Sequence, residues 1–240
     1  MSVAPSPRTD RYVHPDEARQ AAFQRVYNNW LVVQDIYPAL ADKFERDGTR
    51  RFAEVGGGRG PISALLGPKG VSTCVVDLDP LMVAGAHRPC TRADMTALPF
   101  WNEAIDGIAA VNCLYFLTDP AAAIREVWRT LRPGGLFVAS SPSRWNDPEL
   151  QGLDPHWGTP SSFDSEDAPA LVSSVFGEVE VEDWRVVAYV LPDEAAIADY
   201  LHAVNVADWQ VKATQIEAPL NVTKIGAHVW ARRSATTGAS

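Results

Sequence analysis

The sequence has few cysteines, a deficit of positive charge and no long apolar run. Its three cysteines are Cys74, Cys90 and Cys113, and no pair has the C-x-x-C spacing typical of metal or redox sites. We therefore expect free, mostly buried thiols in a reducing compartment, the cytoplasm. No segment approaches the ~20 apolar residues that span a bilayer. Residues 1–10 also lack the apolar core of a secretory signal. The sequence thus predicts no membrane partner.

Basic side chains are outnumbered by acidic ones. The 240 residues include 21 Lys and Arg against 30 Asp and Glu, a formal net charge of −9. Because nucleic-acid binding requires a concentrated positive field, this balance predicts no nucleic-acid partner. The 46% share of hydrophobic residues is that of a globular protein, and the length fits one domain or one and a half.

Apolar spacing changes from helical to strand-like along the first two thirds of the chain. Spacings of three and four predict a helix within residues 15–44. Short apolar runs then predict strands at 52–55, 71–76, 90–93, 105–116 and 136–139, alternating with helices at 61–66, after Pro80 and at 120–131. This alternation indicates β-α units and a parallel sheet covered on both faces.

The pattern changes after residue 140. It predicts a helix over 165–176, a strand over 179–191, a helix over 193–204 and a last strand over 222–232. Because a helix separates the last two strands, we expect them to pair antiparallel at the edge of the sheet. Residues 193–209 are interpreted as a helical insertion that forms part of a lid. The small, polar ends at 1–14 and 234–240 are expected to be flexible.

A glycine-rich loop follows the first predicted strand. Glu54 precedes Gly56, Gly58 and Gly60, and glycine allows positive φ and close approach of a ligand. The dinucleotide fingerprint G-x-G-x-x-G fails at Pro61, and no Walker A motif is present. A carboxylate at the end of the strand repels a pyrophosphate but suits a ligand that carries ammonium and sulfonium groups.

Acidic residues also end the next two predicted strands. Asp77 lies 21 residues after Gly56, where a carboxylate accepts hydrogen bonds from both hydroxyls of a ribose. Leu78 follows and can pack on an adenine face. Asp94, followed by Met95, is placed to accept from an adenine amino group, or else caps a turn. These positions suit NAD and S-adenosylmethionine equally.

Four motifs in this order resemble those of class I S-adenosylmethionine-dependent methyltransferases, in the small-molecule branch with the methyltransferase 11 type of domain. They lie at residues 54–60, 76–80, 92–100 and 131–135, within a resemblance that covers about residues 50–141. The resemblance implies a Rossmann-like, doubly wound, mostly parallel seven-stranded sheet with an antiparallel edge strand, in three α/β/α layers. It implies one domain over 15–233 with an N-terminal cap helix.

The resemblance also implies a cofactor, a reaction and site residues. The cofactor is S-adenosylmethionine, converted to S-adenosylhomocysteine as a methyl group passes to O or N of a small molecule. The implied cofactor-binding residues are Glu54, Gly56 and Gly58 for the methionine part, Asp77 for the ribose, Asp94 and Met95 beside the adenine, and the backbone of Asn112 near the methionine end.

The catalytic group, if there is one, is not identified by the sequence. Family members often carry histidine after the Leu that ends the fourth strand, but Tyr115 and Phe116 follow Leu114 here. His14 and His156 are the remaining candidates for a base. Alignment alone supplies ~7–11 kcal/mol in such a displacement, so a base is not essential. No ligand spacing indicates a metal, and we predict a metal-independent reaction.

Tryptophans are numerous in the segments expected to cover the site. Trp30, Trp145, Trp157 and Trp209 line an acceptor pocket or pack in the core. Two alternative functions stay open at this stage. One is an NAD-dependent oxidoreductase, and the other is a non-catalytic protein that binds S-adenosylmethionine.

Overall fold

The computed structural model describes residues 16–33, 36–155 and 157–234. The strands are β1 (Arg51–Val55), β2 (Ser72–Asp77), β3 (Cys90–Arg92), β4 (Ile105–Val111), β5 (Leu131–Pro142), β6 (Val179–Leu191) and β7 (Leu220–Arg232). The helices are α1 (Glu17–Trp30), α2 (Ile36–Arg46), α3 (Pro61–Leu66), α4 (Pro80–Ala84), α5 (Pro120–Thr130), α6 (Ala168–Phe176), α7 (Glu194–Ala203) and α8 (Trp209–Ala213). The two candidate bases, His14 and His156, lie outside the described residues, as do residues 1–14 and 235–240 of the ends expected to be flexible.

The seven strands form one sheet in the order β3-β2-β1-β4-β5-β7-β6. Strands β1 to β5 pair parallel to one another, whereas β7 is antiparallel to both of its neighbours. The predicted fold class is confirmed, as is the antiparallel pairing of the last two strands. The antiparallel strand itself lies one place in from the edge. The strand order reverses between β1 and β4, which is where doubly wound sheets bind ligands.

Both faces of the sheet are covered, and its central strands are mostly apolar and buried. On one face α2 and α3 pack against the sheet, with a buried core that includes Phe44, Ile62, Leu66, Val138 and Trp230. On the other face α5 and α6 enclose a core that includes Ile108, Ile124, Phe137, Val172 and Val229. This burial holds the carboxyl ends of β1, β2 and β4 in fixed positions at one edge of the sheet.

Three predicted elements differ from the structure by more than three residues at one end or in their number, and several others differ by one to three residues. The helix predicted within 15–44 is two helices, because Leu31 pairs with Tyr189 and the amide of Val32 donates to the Ala188 carbonyl oxygen (2.9 Å). The strand predicted over 105–116 ends at Val111. The strand predicted over 136–139 extends over 131–142, since it pairs with both β4 and β7.

Helices α1, α7 and α8 form a cap with its own apolar core. Its buried residues include Val26, Leu150, Leu191, Ile197 and Leu201. The guanidinium of Arg25 on α1 donates to both carboxylate oxygens of Asp199 on α7 (2.8 and 2.5 Å). Because β7 is antiparallel to both β5 and β6, its amino end and the carboxyl end of β6 lie beside the carboxyl end of β5. Helix α7 connects β6 to β7 there, so the cap lies at the carboxyl ends of the parallel strands. Among the described residues, no helix is long and apolar enough to span a membrane.

Candidate functional site

The glycine-rich loop leaves β1 with its backbone in the left-handed region. Gly56 has φ +60° and Gly58 has φ +55°. A Cβ atom on Gly56 would lie 2.5 Å from Cβ of Cys113, so only glycine fits there. A Cβ on Gly58 would have just the sulfur of Met82 nearby, at 3.9 Å. The loop is therefore packed against Cys113 at Gly56 and is open at Gly58, where a ligand can approach the backbone.

Glu54 holds the helix that follows the loop. Its side chain is 2% exposed, and its two oxygens accept from the amides of Ile62 (3.1 Å) and Ser63 (2.7 Å). These amides belong to the first turn of α3, whose N-terminus favours a negative charge. Burial nevertheless raises the pKa of the Glu54 carboxyl, against the lowering effect of these hydrogen bonds. The structure thus gives this carboxylate backbone partners, and its expected contact with the methionine part stays a prediction.

Asp77 connects the end of β2 to the glycine-rich loop. Its Oδ2 accepts from the amide of Gly58 (2.8 Å), and its Oδ1 accepts from the amide of Asp79 (2.9 Å). A carboxylate has about four lone-pair sites, so two remain for the hydroxyls of a ribose. Leu78, the next residue, is 56% exposed and offers an apolar surface beside them.

Asp94 and Met95 follow β3 and have different surroundings. Oδ1 of Asp94 accepts from the amide (2.8 Å) and the hydroxyl (2.7 Å) of Thr96, which is the turn-capping arrangement. These bonds lower the pKa of the exposed Asp94 carboxyl. The side chain of Met95 reaches the loop, with its Cε 3.1 Å from the position of a Cβ on Gly56. The structure therefore brings Met95 to the loop while one Asp94 oxygen is engaged locally.

The turn after β4 lies beside the glycine-rich loop, because β4 is the neighbour of β1 at the point where the strand order reverses. Asn112 is exposed and has φ +52°, a conformation uncommon outside glycine and often found at functional positions. Its amide donates to the Ser140 carbonyl oxygen (2.9 Å), which ties the turn to β5. The buried thiol of Cys113 donates to the carbonyl oxygen of Val55 (3.3 Å). Burial, with the nearby charges of Asp77 and Glu54, raises the pKa of that thiol.

Two residues at the loop were not identified from the sequence. Cys113 packs beneath Gly56, and Met82 of α4 lies nearest to Gly58. Neither residue has a local sequence signal that indicates this contact. All three cysteines are free thiols, as expected from the sequence, and Cys113 is fully buried while the other two are half-buried.

Aromatic side chains lie in the turns that follow β4 and β5. Tyr115 and Phe116 contact each other (4.8 Å between ring centroids), and Phe116 is 44% exposed. Trp145 contacts Trp157 edge to face at 4.8 Å and is 46% exposed. The indole of Trp157 donates to the Asn146 carbonyl oxygen (3.0 Å). These four rings lie in segments that follow the carboxyl ends of β4 and β5, at the same end of the parallel strands as the glycine-rich loop.

The other two tryptophans singled out in the sequence pack in the cap. Trp30 and Trp209 lie against its apolar core, and Trp209 stacks on the ring of His202 (4.6 Å between centroids). A cavity of about 320 Å³ also lies away from the loop, between β6, β7 and the segment after β5. None of the residues that line it belongs to the glycine-rich loop or to the ends of β1, β2 and β4.

The residues at the switch point fit S-adenosylmethionine. The open backbone at Gly58 is a cradle that a side chain would fill, and the two unused lone-pair sites of Asp77 suit a diol. Met95 and Leu78 offer apolar surface for a purine. The carboxylate of Asp77, which contacts the loop, favours a cationic ligand over a pyrophosphate.

Comparison with protein families agrees with this geometry. Residues 53–139 match the family described as "Methyltransferase domain". Two curated relatives are a demethylmenaquinone methyltransferase from Roseiflexus castenholzii, 33% identical over 42% of this chain and 46% of its own length, and a malonyl-[acyl-carrier protein] O-methyltransferase from Enterobacter lignolyticus, 28% identical over 56% and 57%. The chain thus spans about half the length of these relatives.

Solved structures share the fold. The [4+2]-cyclase SpnF superposes with a TM-score of 0.65 and 18% identity, covering 98% of this chain and 100% of its own. The YcgJ protein from Bacillus subtilis superposes with a TM-score of 0.61 and 16% identity, covering 83% and 98%. At these identities the likeness concerns the fold alone.

Proposed function

We propose that this chain, whose residues 53–139 form a methyltransferase domain of the class I, S-adenosylmethionine-dependent type, transfers a methyl group to an oxygen or nitrogen atom of a small molecule. The observation that carries the proposal is the glycine-rich loop itself. Its backbone is open at Gly58, braced by the Asp77 carboxylate and packed on Cys113 and Met95. This is a site built for close approach of a ligand to main chain.

The cofactor, S-adenosylmethionine, supplies an electrophilic methyl group on a positively charged sulfur. In the proposed mechanism the residues of this chain mainly hold and orient. Asp77 binds the ribose through its free lone-pair sites, Asp94 accepts from the adenine amino group, and the backbone around Gly56 and Asn112 holds the methionine part. Glu54 acts through α3, by fixing the helix that supports the loop.

The acceptor is proposed to bind between the turns after β4 and β5. Phe116 and Trp145 expose ring surface there, and Trp157 packs against Trp145. Such rings exclude water and favour a flat or apolar molecule. One relative is named a demethylmenaquinone methyltransferase and the other a malonyl-[acyl-carrier protein] O-methyltransferase. Both names support an acceptor that is a small molecule or a small group attached to a carrier protein. Alignment of the acceptor with the methyl group is the main catalytic contribution.

Binding of S-adenosylmethionine and S-adenosylhomocysteine by isothermal titration calorimetry tests the cofactor assignment. We expect both to bind and to raise the melting temperature as their concentration rises. Transfer of radiolabelled methyl groups to small molecules of a cell extract tests the reaction. Failure to bind at millimolar ligand would refute the proposal, and enhanced NADH fluorescence would favour an oxidoreductase. Binding without any transfer would support a non-catalytic role.

We also propose a cytoplasmic location and no nucleic-acid acceptor. The three free cysteines and the net charge of −9 support these two proposals. Retention of the protein on immobilised RNA at low salt, with methyl transfer to that RNA, would contradict the second.

A further inference from the structure

The outer edge of the sheet is formed by a long, open stretch of β6. Strand β6 has 13 residues and pairs with β7 on one side. On its other side, Leu31 and Val32 occupy the backbone at Tyr189 and Ala188. Within the described parts of the chain, no strand pairs with the outer side of residues 179–187. Such an edge presents unpaired amide and carbonyl groups to any strand that can match it.

The exposed side chains of this edge are self-complementary. Val181, Asp183, Arg185 and Val187 alternate with the other residues of β6 and so lie on one face of the sheet. All four are exposed. Among the residues that the structure describes, the side chains of Asp183 and Arg185 have no hydrogen-bond or ion-pair partner, while their backbones pair with β7. An antiparallel copy of the strand, centred on Trp184, would place Asp183 opposite Arg185 and Val181 opposite Val187, twice each.

We propose that two copies of this chain associate through antiparallel pairing of their β6 strands about a two-fold axis at Trp184. Residues 181–187 of one copy pair with 187–181 of the other and join the two sheets into one of fourteen strands, from two sets of seven. The paired stretch ends just before Ala188, where the edge is already occupied. Two ion pairs and two valine pairs then close the exposed face.

The register of this pairing is fixed by charge. Moving the axis to residue 183 places Asp183 opposite itself, and moving it to residue 185 places Arg185 opposite itself. Like charges directly opposite each other destabilise a strand pair. On the other face, Glu182 is already held by Lys43 (2.7 Å) and by the Trp230 indole (2.9 Å), so it does not compete for Arg185. Of the registers centred on residues 183, 184 and 185, only the one at Trp184 places Asp183 opposite Arg185.

Charge reversal tests this interface with the full chain. We would measure sedimentation velocity from micromolar to near-millimolar concentration for the wild type, Asp183→Arg, Arg185→Asp, and the double variant. The expected interface is small, and the wild type should show a reversible monomer–dimer equilibrium. Each single reversal creates two like-charge contacts and should weaken the dimer at least about tenfold. The double variant restores both pairs and should dimerise as the wild type does.

An equimolar mixture of the two single variants is the sharpest control. Arginines of one chain then face aspartates of the other, so two proteins that are monomeric alone should form a heterodimer. Circular dichroism and S-adenosylmethionine affinity should be unchanged in every variant, because both residues are exposed and lie away from the cofactor loop. A monomeric wild type at the highest concentration, a dimer insensitive to the single reversals, or a mixture that stays monomeric would each overturn the proposal.

Discussion

Gly56 lies directly on Cys113, so that a Cβ atom at residue 56 would be 2.5 Å from Cβ and 2.7 Å from Sγ of that cysteine. The contact joins the end of β1 to the residue that follows the turn after β4. These two strands are neighbours across the switch point of the sheet. The shape of the cofactor loop therefore depends on a packing contact as well as on glycine's conformational freedom.

Replacing Gly56 by alanine should lower both stability and cofactor affinity. The positive φ costs an alanine roughly 1–2 kcal/mol, and displacement of Cys113 and Met95 adds to that cost. We expect S-adenosylmethionine affinity to fall at least about tenfold, equivalent to about 1.4 kcal/mol. Calorimetry and thermal unfolding measure the two effects.

Gly58→Ala is the matched control, since its φ is +55° but its nearest side-chain atom would be 3.9 Å away. The loss of melting temperature should be clearly smaller than for Gly56→Ala. Equal destabilisation by the two variants would show that backbone strain alone matters and that the Cys113 contact does not.

Asp77→Ala should weaken cofactor binding more than any other single change at β2. It removes the proposed acceptor for the ribose hydroxyls and leaves the amides of Gly58 and Asp79 without their partner. We expect the dissociation constant for S-adenosylmethionine to rise at least about tenfold, with roughly 1–3 kcal/mol lost in stability. Asp79→Ala removes the cap on the Leu81 amide and should cost about 1 kcal/mol in stability with little change in affinity. Equal affinity losses in the two variants would contradict a ribose contact at Asp77.

Glu54→Gln should reveal the sign of its pKa shift. Burial raises the pKa of this carboxyl above its ordinary value of 4.5. The folded state thus holds the proton more tightly than the unfolded chain, and the contribution of Glu54 is greatest below pH 4.5 and declines as pH rises through the folded pKa. The difference in unfolding free energy between wild type and Glu54→Gln should therefore decrease as pH is raised from about 4.5, measured by urea unfolding.

Glu126→Gln provides a comparison of opposite sign. A hydrogen bond from the Arg129 side chain lowers the pKa of Glu126, so its contribution is present above pH 4.5 and is lost as pH falls through the folded pKa. The difference between wild type and this variant should grow with pH. A Glu54 difference that also grows with pH would show that the hydrogen bonds from α3 outweigh burial.

Tyr200→Phe should loosen the contact between the cap and the segment after β5, where we propose that the acceptor binds. The Tyr200 hydroxyl donates to Oδ1 of the buried Asp147 (2.7 Å), which joins α7 to the segment after β5. Loss of this bond leaves a buried charge short of a donor and should cost roughly 1–3 kcal/mol. We expect a higher KM for the acceptor and an unchanged dissociation constant for S-adenosylmethionine.

The exposed ion pair between Arg25 on α1 and Asp199 on α7 provides the control for that variant. Arg25→Ala removes an ion pair between α1 and α7 in which the arginine side chain is 51% exposed, and should cost no more than about 1 kcal/mol. If Arg25→Ala raised the acceptor KM as much as Tyr200→Phe, the buried Asp147 contact would not be what positions the cap.

Most of the sheet could be predicted because its strands are apolar runs that end in turn-forming or acidic residues. The strand at 179–191 and the helix at 61–66 have the predicted bounds, and Asp79 caps α4 as its sequence signal indicates. The end of β4 was not predicted, because Asn112 is a single polar residue with apolar residues on both sides and was included in the strand. Asparagine tolerates the left-handed conformation found at residue 112, but one such residue within an apolar segment does not distinguish a turn from a polar position of a strand.

The side-chain contacts around the glycine-rich loop could not be predicted from local sequence patterns. Nothing near Cys113 or Met82 in the chain indicates that both reach the glycine-rich loop, since each contact joins segments distant in sequence. The backbone partners of Glu54 were missed for a related reason. A carboxylate before a glycine loop can face a ligand or the following helix, and only the position of α3 decides between them.

The contact between Arg25 and Asp199 links residues 174 positions apart. Helix α1, the first helix that the structure describes, therefore cannot pack on α7 until residues 194–203 have been synthesised. The β-α units over 51–142, by contrast, find their partners locally and can assemble early. During synthesis on the ribosome, the glycine-rich loop and the strand ends beside it would therefore form before α7 is available to pack against α1.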